Sequence, residues 1–252
     1  MDLKNSQREA PEQGGLRLVT EQAEAPTPHT VEKQFVSFMF FRVSPDWRKL
    51  DLETKQHYKE EFKGTCADFD DDFLLYSYSL VGIDSKADLM LWRIGVSLDR
   101  VQEMTAKLFR TGLGSYLETA DNYLSVTKKA MFVNNGTEDR THVRPGEKKY
   151  LFVYPCLKNM DWYQKTAEER DALIEENYMV GRKFSNIKIH MTYAFGFSDQ
   201  EYLFSFETDE PRDFLALAEE LRETPASRFI LRGRPVYTCR QRPLMECLDA
   251  LG

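Results

Sequence analysis

The side chains best able to hold a metal or act as nucleophiles are few in this chain. There are four histidines, His29, His57, His142 and His190. They fall near the N-terminus, in a helix-like stretch, in a polar connection and in a strand-like run. Three of them do not readily converge on one ion. His190, within Lys188-Ile189-His190-Met191-Thr192-Tyr193, is the candidate metal ligand or catalytic group, with a structural strand histidine as the alternative. The four cysteines, Cys66, Cys156, Cys239 and Cys247, are widely spaced and form no CxxC pair. That spacing excludes the common zinc ribbon and does not look like a disulfide scaffold. GxGxxG, P-loop, GxSxG and HExxH motifs are absent. No short motif announces the chemistry.

The elements that must position any site are easier to read. The run Phe35-Val36-Ser37-Phe38-Met39-Phe40-Phe41 has the length and aromatic content of a buried strand. Two halves then resemble each other. The first has Phe38 to Arg42, then Asp46-Trp47, then a helix-like stretch from Leu52 to Phe62. The second has Phe152-Val153-Tyr154-Pro155, then Asp161-Trp162, then a helix-like stretch from Thr166 to Asn177. Paired strands follow in both, Leu75–Ser79 with Asp88–Trp92 and Lys188–Tyr193 with Glu201–Phe206, broken at Gly82 and Gly196. Each half closes with an amphipathic helix, ending Leu108-Phe109-Arg110-Thr111 and Leu221-Arg222-Glu223-Thr224. The offset of about 112 to 115 residues is too regular for chance. Each half reads β-α-β-β-α-β, the ferredoxin-like order. Two such sheets, each covered by helices on one face, bury the other face against each other in one α+β unit. Thr166 with Glu169 forms a capping box, and Pro211 suits the first turn of a helix running to Arg222.

The expected organisation is a disordered tail over residues 1–32, a ferredoxin-like half over 33–133, a polar connection over 134–149 and a second half over 150–252. The tail is rich in Glu, Gln, Pro and Gly, which cannot bury enough surface to offset ordering. The 252 residues hold 42% hydrophobic and 13% aromatic side chains, enough for a sizeable core. Lys and Arg number 34 against 41 Asp and Glu, a net charge of −7. No basic surplus points to nucleic acid. No apolar run of membrane-spanning length occurs, and the polar N-terminus does not read as a signal peptide. A cytoplasmic protein is the expectation.

A family resemblance is carried by specific phrases. They are Tyr154-Pro155 with Lys158, Trp162-Tyr163, Glu168-Glu169-Arg170, Gly181-Arg182-Lys183-Phe184, Thr192-Tyr193-Ala194-Phe195-Gly196, Asp199-Gln200-Glu201 and Phe206-Glu207-Thr208-Asp209. Together they resemble the chlorite dismutase and coproheme decarboxylase family over about Phe35 to Cys239, most densely from Tyr150 to Phe229. The resemblance implies two ferredoxin-like repeats forming a dimeric α+β barrel. It implies a homo-oligomer, usually a pentamer and less often a dimer. It implies heme b or coproheme bound in the C-terminal half.

Residue by residue, the resemblance transfers unevenly. The family's iron-ligating histidine sits in a phrase like Glu-His-x-x-x-Gly-Arg, which here reads Glu176-Asn177-Tyr178-Met179-Val180-Gly181-Arg182. Asn177 takes the histidine position, and an amide lacks the basic nitrogen lone pair of imidazole. The acidic partner of that histidine lies in a phrase like Thr-Glu-Ala-Ser, which here reads Thr224-Pro225-Ala226-Ser227. Ordinary proximal histidine ligation is therefore expected to be absent. The distal arginine of chlorite-degrading members falls on Ile189 or His190, so chlorite dismutation is not expected. Tyr154 matches the tyrosine of coproheme decarboxylases that becomes a radical and attacks a propionate. Lys158 matches the lysine near that propionate, and Arg182 is a candidate second propionate contact, with a surface carboxylate as its alternative partner. Cys156 stands where those enzymes often carry methionine.

Each residue also has a plainer role. Tyr154 fits a half-buried strand tyrosine, and Lys158 a solvated charge. Trp162 fits core packing, because Trp47 repeats it in the other half. Asn177 fits a helix C-terminal residue, and Cys156 an inert buried thiol. Three functions stay open: a peroxide-dependent, coproheme decarboxylase-like enzyme with iron bound weakly or by a substitute ligand such as His190, a heme-free relative binding another small molecule, and a non-catalytic oligomeric scaffold or partner-binding protein.

Overall fold

The computed structural model describes residues 33–128, 142–146, 148–197, 199–231 and 235–252. The expected tail over 1–32 and most of the connection over 134–149 lie outside the described residues. Eight antiparallel strands close into a barrel in the order β1-β3-β2-β8-β5-β7-β6-β4. The strands are β1 (Phe35–Val43), β2 (Phe73–Ser79), β3 (Leu89–Gly95), β4 (Leu117–Val126), β5 (Tyr150–Cys156), β6 (Lys188–Tyr193), β7 (Tyr202–Thr208) and β8 (Tyr237–Gln241). The helices are α1 (Leu52–Ala67), α2 (Leu98–Leu108), α3 (Met160–Tyr163), α4 (Ala167–Arg182), α5 (Pro211–Glu223) and α6 (Leu244–Asp249). Each half presents its strands in the same order, β4-β1-β3-β2 and β8-β5-β7-β6. The seams between halves are short. Tyr78 and Ser79 pair with Gln241 and Arg240, and Val126 pairs with Tyr193.

The apolar run of β1 follows from burial on both faces. Val36, Phe38 and Phe40 point into the barrel with Trp92, Leu151, Val153 and Leu203. Met39, Phe41 and Val43 point outward under the N-terminal helices. The same alternation runs through β5, where Leu151 and Val153 are interior and Phe152 and Tyr154 face the C-terminal helices. The β2–β3 and β6–β7 connections each need a left-handed residue, supplied by Gly82 at φ 74° and Gly196 at φ 78°.

Helix starts follow the sequence signals. The Asp51 side chain accepts from Thr54 N at 2.8 Å. Thr166 and Glu169 form a reciprocal capping box, with Thr166 N donating to Glu169 at 2.9 Å and Glu169 N to Thr166 Oγ1 at 3.3 Å. Pro211 opens α5. One end differs. Helix α4 continues to Arg182, so Asn177 lies inside it and is not a C-terminal residue.

Candidate functional site

Helices α1 and α4 are 16 residues each and stand 115 positions apart, so their faces can be compared residue by residue. In α1 the buried face is Lys55, Lys59, Phe62 and Cys66. The matching positions in α4 are Arg170, Ile174, Asn177 and Gly181, and none of them is buried. Where α1 drives a phenyl ring and a thiol into the layer above the sheet, α4 offers an amide and no side chain. Only Val180 of α4 is buried.

The layers beneath differ accordingly. The cluster under α1, α2 and α6 has 18 buried apolar residues, and the one under α4 and α5 has five, Phe152, Val180, Ile187, Phe206 and Leu217. The remainder of the C-terminal layer is half-buried: Tyr150, Tyr154, Phe184, Phe204, Phe214 and Leu221. Below α5 it is closed by Phe214 stacked on Phe152 at 3.9 Å and tilted against Phe206 at 5.0 Å. Below α4 it is open. Ile189 faces this side, opposite Phe206 in the ladder, and yet is 40% exposed. A methyl group added at Gly181 would meet only Ile189 Cδ1, at 3.2 Å. The Tyr154 hydroxyl has no hydrogen-bond partner among the described residues. Asn177 Oδ1 is buried and has none either. An unpaired buried acceptor costs roughly 1–3 kcal/mol, so it marks a place where a further group belongs.

One edge of this layer carries positive charge. Lys158 continues the outward alternation of Tyr154 and Cys156 past the end of β5. Its Nζ sits 4.4 Å above the Trp162 ring. Burial holds its pKa below the ordinary lysine value, with Cys156 and Glu201 opposing that shift. No carboxylate lies within ion-pair distance of Lys158 among the described residues. Glu201 instead accepts from the Lys158 backbone N at 2.8 Å and from the Tyr163 hydroxyl. Burial, then the Glu201 bond, raises the Tyr163 pKa. Trp162 is buried, packs on Phe229 at 5.6 Å and hydrogen-bonds Tyr202. The Cys156 thiol is pushed up to about 11 by burial, an inert environment. Arg182 ends α4, exposed, 6.0 Å from the Tyr178 ring. Pro225 opens a short 3-10 turn, Pro225–Phe229.

His190 is not part of this grouping. It alternates with Ile189 and so points into the barrel, where its ring lies 5.8 Å from Trp92. Its Nε2 is 2.7 Å from Glu207 Oε1, and both residues are buried. Glu207 also accepts the Gly146 N–H through both oxygens, at 2.9 and 2.8 Å. A group held under α4 has Ile189 beside it and His190 behind the sheet. Tyr154, Asn177 and Ile189 come together on the open layer with Lys158 at its edge, while the expected substitute-ligand role of His190 does not fit this placement. Sequence reasoning missed Phe204, Phe206 and Phe214 as walls, and Glu201 with Tyr163 as the frame of Lys158. The matched spacing of α1 and α4 was the available signal for the first group.

The arrangement suits a flat, largely apolar molecule with an anionic edge. Aromatic faces line the sheet, one amide faces it from α4, and a half-buried ammonium stands at the margin. No group of three His, Cys, Asp or Glu able to hold a metal ion occurs among the described residues. A cleft lined by Asn159, Asp161, Gln164, Lys165, Glu169, Arg228 and Phe229 is polar and open, and lacks the apolar walls such a molecule needs. No helix among the described residues is long and apolar enough to cross a membrane.

An α+β barrel of eight antiparallel strands in this order defines the fold class. A sequence model described as chlorite dismutase matches residues 55–242, and the chain belongs to the chlorite dismutase family. It is 25% identical over 169 residues to a coproheme decarboxylase from Mycolicibacterium smegmatis, covering 64% of this chain and 70% of that one. It is 22% identical over 227 residues to a chlorite dismutase from Ideonella dechloratans, covering 86% and 79%. A mutant chlorite dismutase from Candidatus Nitrospira defluvii superposes with a TM-score of 0.80 at 26% identity, covering 86% of this chain and 95% of that one.

Proposed function

We propose that this protein handles a porphyrin, iron-bearing or not, in the open layer under α4, and that its nearest chemistry is the peroxide-dependent oxidation of coproheme. The observation that supports this most is the contrast between the filled layer under α1 and the open one under α4. The same fold elsewhere in the chain packs that space with Phe62, so the opening is a property of the C-terminal half and not of the barrel.

In this reading Phe204, Phe206 and Tyr154 form the floor and Asn177 the roof. Lys158, steadied over Trp162, takes a propionate, and Arg182 a second one from the end of α4. Bound iron porphyrin would supply the oxidising equivalents from peroxide. Tyr154, whose hydroxyl carries no competing bond among the described residues, would be the redox-active phenol beside a propionate. Ile189 gives an apolar side wall in place of a cation, so an anionic oxidant such as chlorite has nothing to hold it there. The two halves are read as ferredoxin-like repeats, and the assembly as a homopentamer or dimer, to be checked by light scattering.

Titration of the purified protein with iron coproporphyrin III tests the reading. Absorption in the Soret region should saturate at one equivalent per chain. Lys158→Met should weaken binding roughly 10–100-fold, the value of one charge-assisted hydrogen bond of about 1.5–3 kcal/mol. Absence of saturable binding would leave a heme-free ligand or a scaffold. That second reading is favoured by one specific observation, the lack of an imidazole on the α4 side among the described residues.

A further inference from the structure

The groups that face the open layer are unusual for a site that would hold iron. From α4 they are Arg170, Ile174, Asn177 and Gly181, by the match with the buried face of α1. From the sheet they are Tyr154, Phe204 and Phe206, with Met191 paired opposite Phe204 and therefore on the same side. This set contains no imidazole or carboxylate, and the one thiol on the Tyr154 face of β5, Cys156, is buried and kept protonated. Asn177 presents a neutral amide oxygen, buried and without a partner. Met191 offers a neutral thioether. Ligation by Tyr154 would require a phenolate, a full charge in an apolar layer with no donor bonded to the oxygen among the described residues. His190, the one basic nitrogen nearby, faces the other side of the sheet and is held by Glu207.

What remains strong is everything that recognises the macrocycle itself. Aromatic faces stack on its plane. The ammonium of Lys158, already taken partly out of water and lacking an ion pair among the described residues, takes a carboxylate at its edge. The Asn177 oxygen can accept a hydrogen bond from a donor at the centre or on the face of the ring, such as a pyrrole N–H or a water held by a metal. None of these interactions depends on iron.

We infer that the site selects a carboxylated tetrapyrrole irrespective of its metal, so that a metal-free porphyrin is a ligand equivalent to its iron complex. This rests on the porphyrin reading above. It adds that the protein contributes no bond to the metal, and that the organic ring and its carboxylates set affinity.

The test compares two forms of one ring. The full chain is titrated with metal-free coproporphyrin III and, separately, with its ferric complex, following tryptophan fluorescence quenching and Soret absorption. Dissociation constants within about tenfold of each other are expected, because no coordinate bond separates the two ligands; tenfold corresponds to 1.4 kcal/mol. The ferric spectrum should lack a histidine-ligated signature. In Asn177→His the ferric form alone should tighten, by at least tenfold, and it should tighten further in Asn177→His with Pro225→Glu, since an orienting partner typically contributes roughly 10–100-fold. Affinity for the metal-free ring should not rise in either variant, because the imidazole adds a bond only to iron and the Asn177 acceptor is lost. A ferric form that binds the parent more than tenfold tighter than the metal-free ring would overturn the inference while leaving the porphyrin reading in place. If neither form binds, the porphyrin reading itself fails and the inference falls with it.

Discussion

Phe62→Ala should lower the stability of the ligand-free protein by about 3–5 kcal/mol, the usual cost of truncating a fully buried phenylalanine. Asn177→Ala, on the matching face of α4, should change it by less than about 1 kcal/mol. The difference follows from surroundings. Phe62 is fully buried in a cluster of 18 close-packed apolar residues that includes it, and its removal leaves a cavity. Asn177 projects over a layer with only five buried residues, and its carboxamide oxygen is unpaired. Removing it ends a desolvation penalty and opens little new space. Urea denaturation of both variants measures this directly. Equal losses would mean that the C-terminal layer is an ordinary packed core.

The second large effect concerns the barrel interior. Glu207→Ala should cost about 2–4 kcal/mol. It leaves the Gly146 N–H and His190 Nε2 without their carboxylate in a site where Glu207 is 1% exposed. Glu207→Gln keeps the shape and one acceptor oxygen, and should lose clearly less. Porphyrin affinity should be unchanged in both folded variants, because Glu207 and His190 lie on the far side of the sheet from Tyr154 and Ile189. Thermal melts and a porphyrin titration separate the two outcomes. A selective loss of binding with little loss of stability would show that the interior pair takes part in the site.

Much of this was legible in the residues. The β1 run, the capping box at Thr166, Pro211 at the start of α5 and the paired glycines at 82 and 196 all carry local signals that tertiary packing has no reason to override. The common strand order of the two halves, β4-β1-β3-β2 and β8-β5-β7-β6, agrees with the spacing of their like phrases. The site was legible only in part. Tyr154, Lys158 and Asn177 can be named from the residues as candidates only, and the face of each depends on strand parity and helix phase. One residue of register separates Ile189, on the open layer, from His190, inside the barrel. The end of α4 was also placed too early. Asn177 is a poor helix former, and the sequence gives no reason to continue past it until Gly181. The openness of the layer is a property of pairs of elements. It becomes visible only when Asn177 and Gly181 are laid against Phe62 and Cys66.

If the space under α4 is a ligand slot, filling it as Phe62 fills its counterpart under α1 should close it. Asn177→Phe copies Phe62 into the C-terminal half. Circular dichroism should be unchanged and the melting temperature at or above that of the parent, since the ring adds apolar contact to a loose layer. Titration with metal-free or ferric coproporphyrin III, saturable in the parent, should then show no binding. An Asn177→Phe protein that folds as the parent does and binds the porphyrin with the same affinity would mean that the space under α4 is not the porphyrin site.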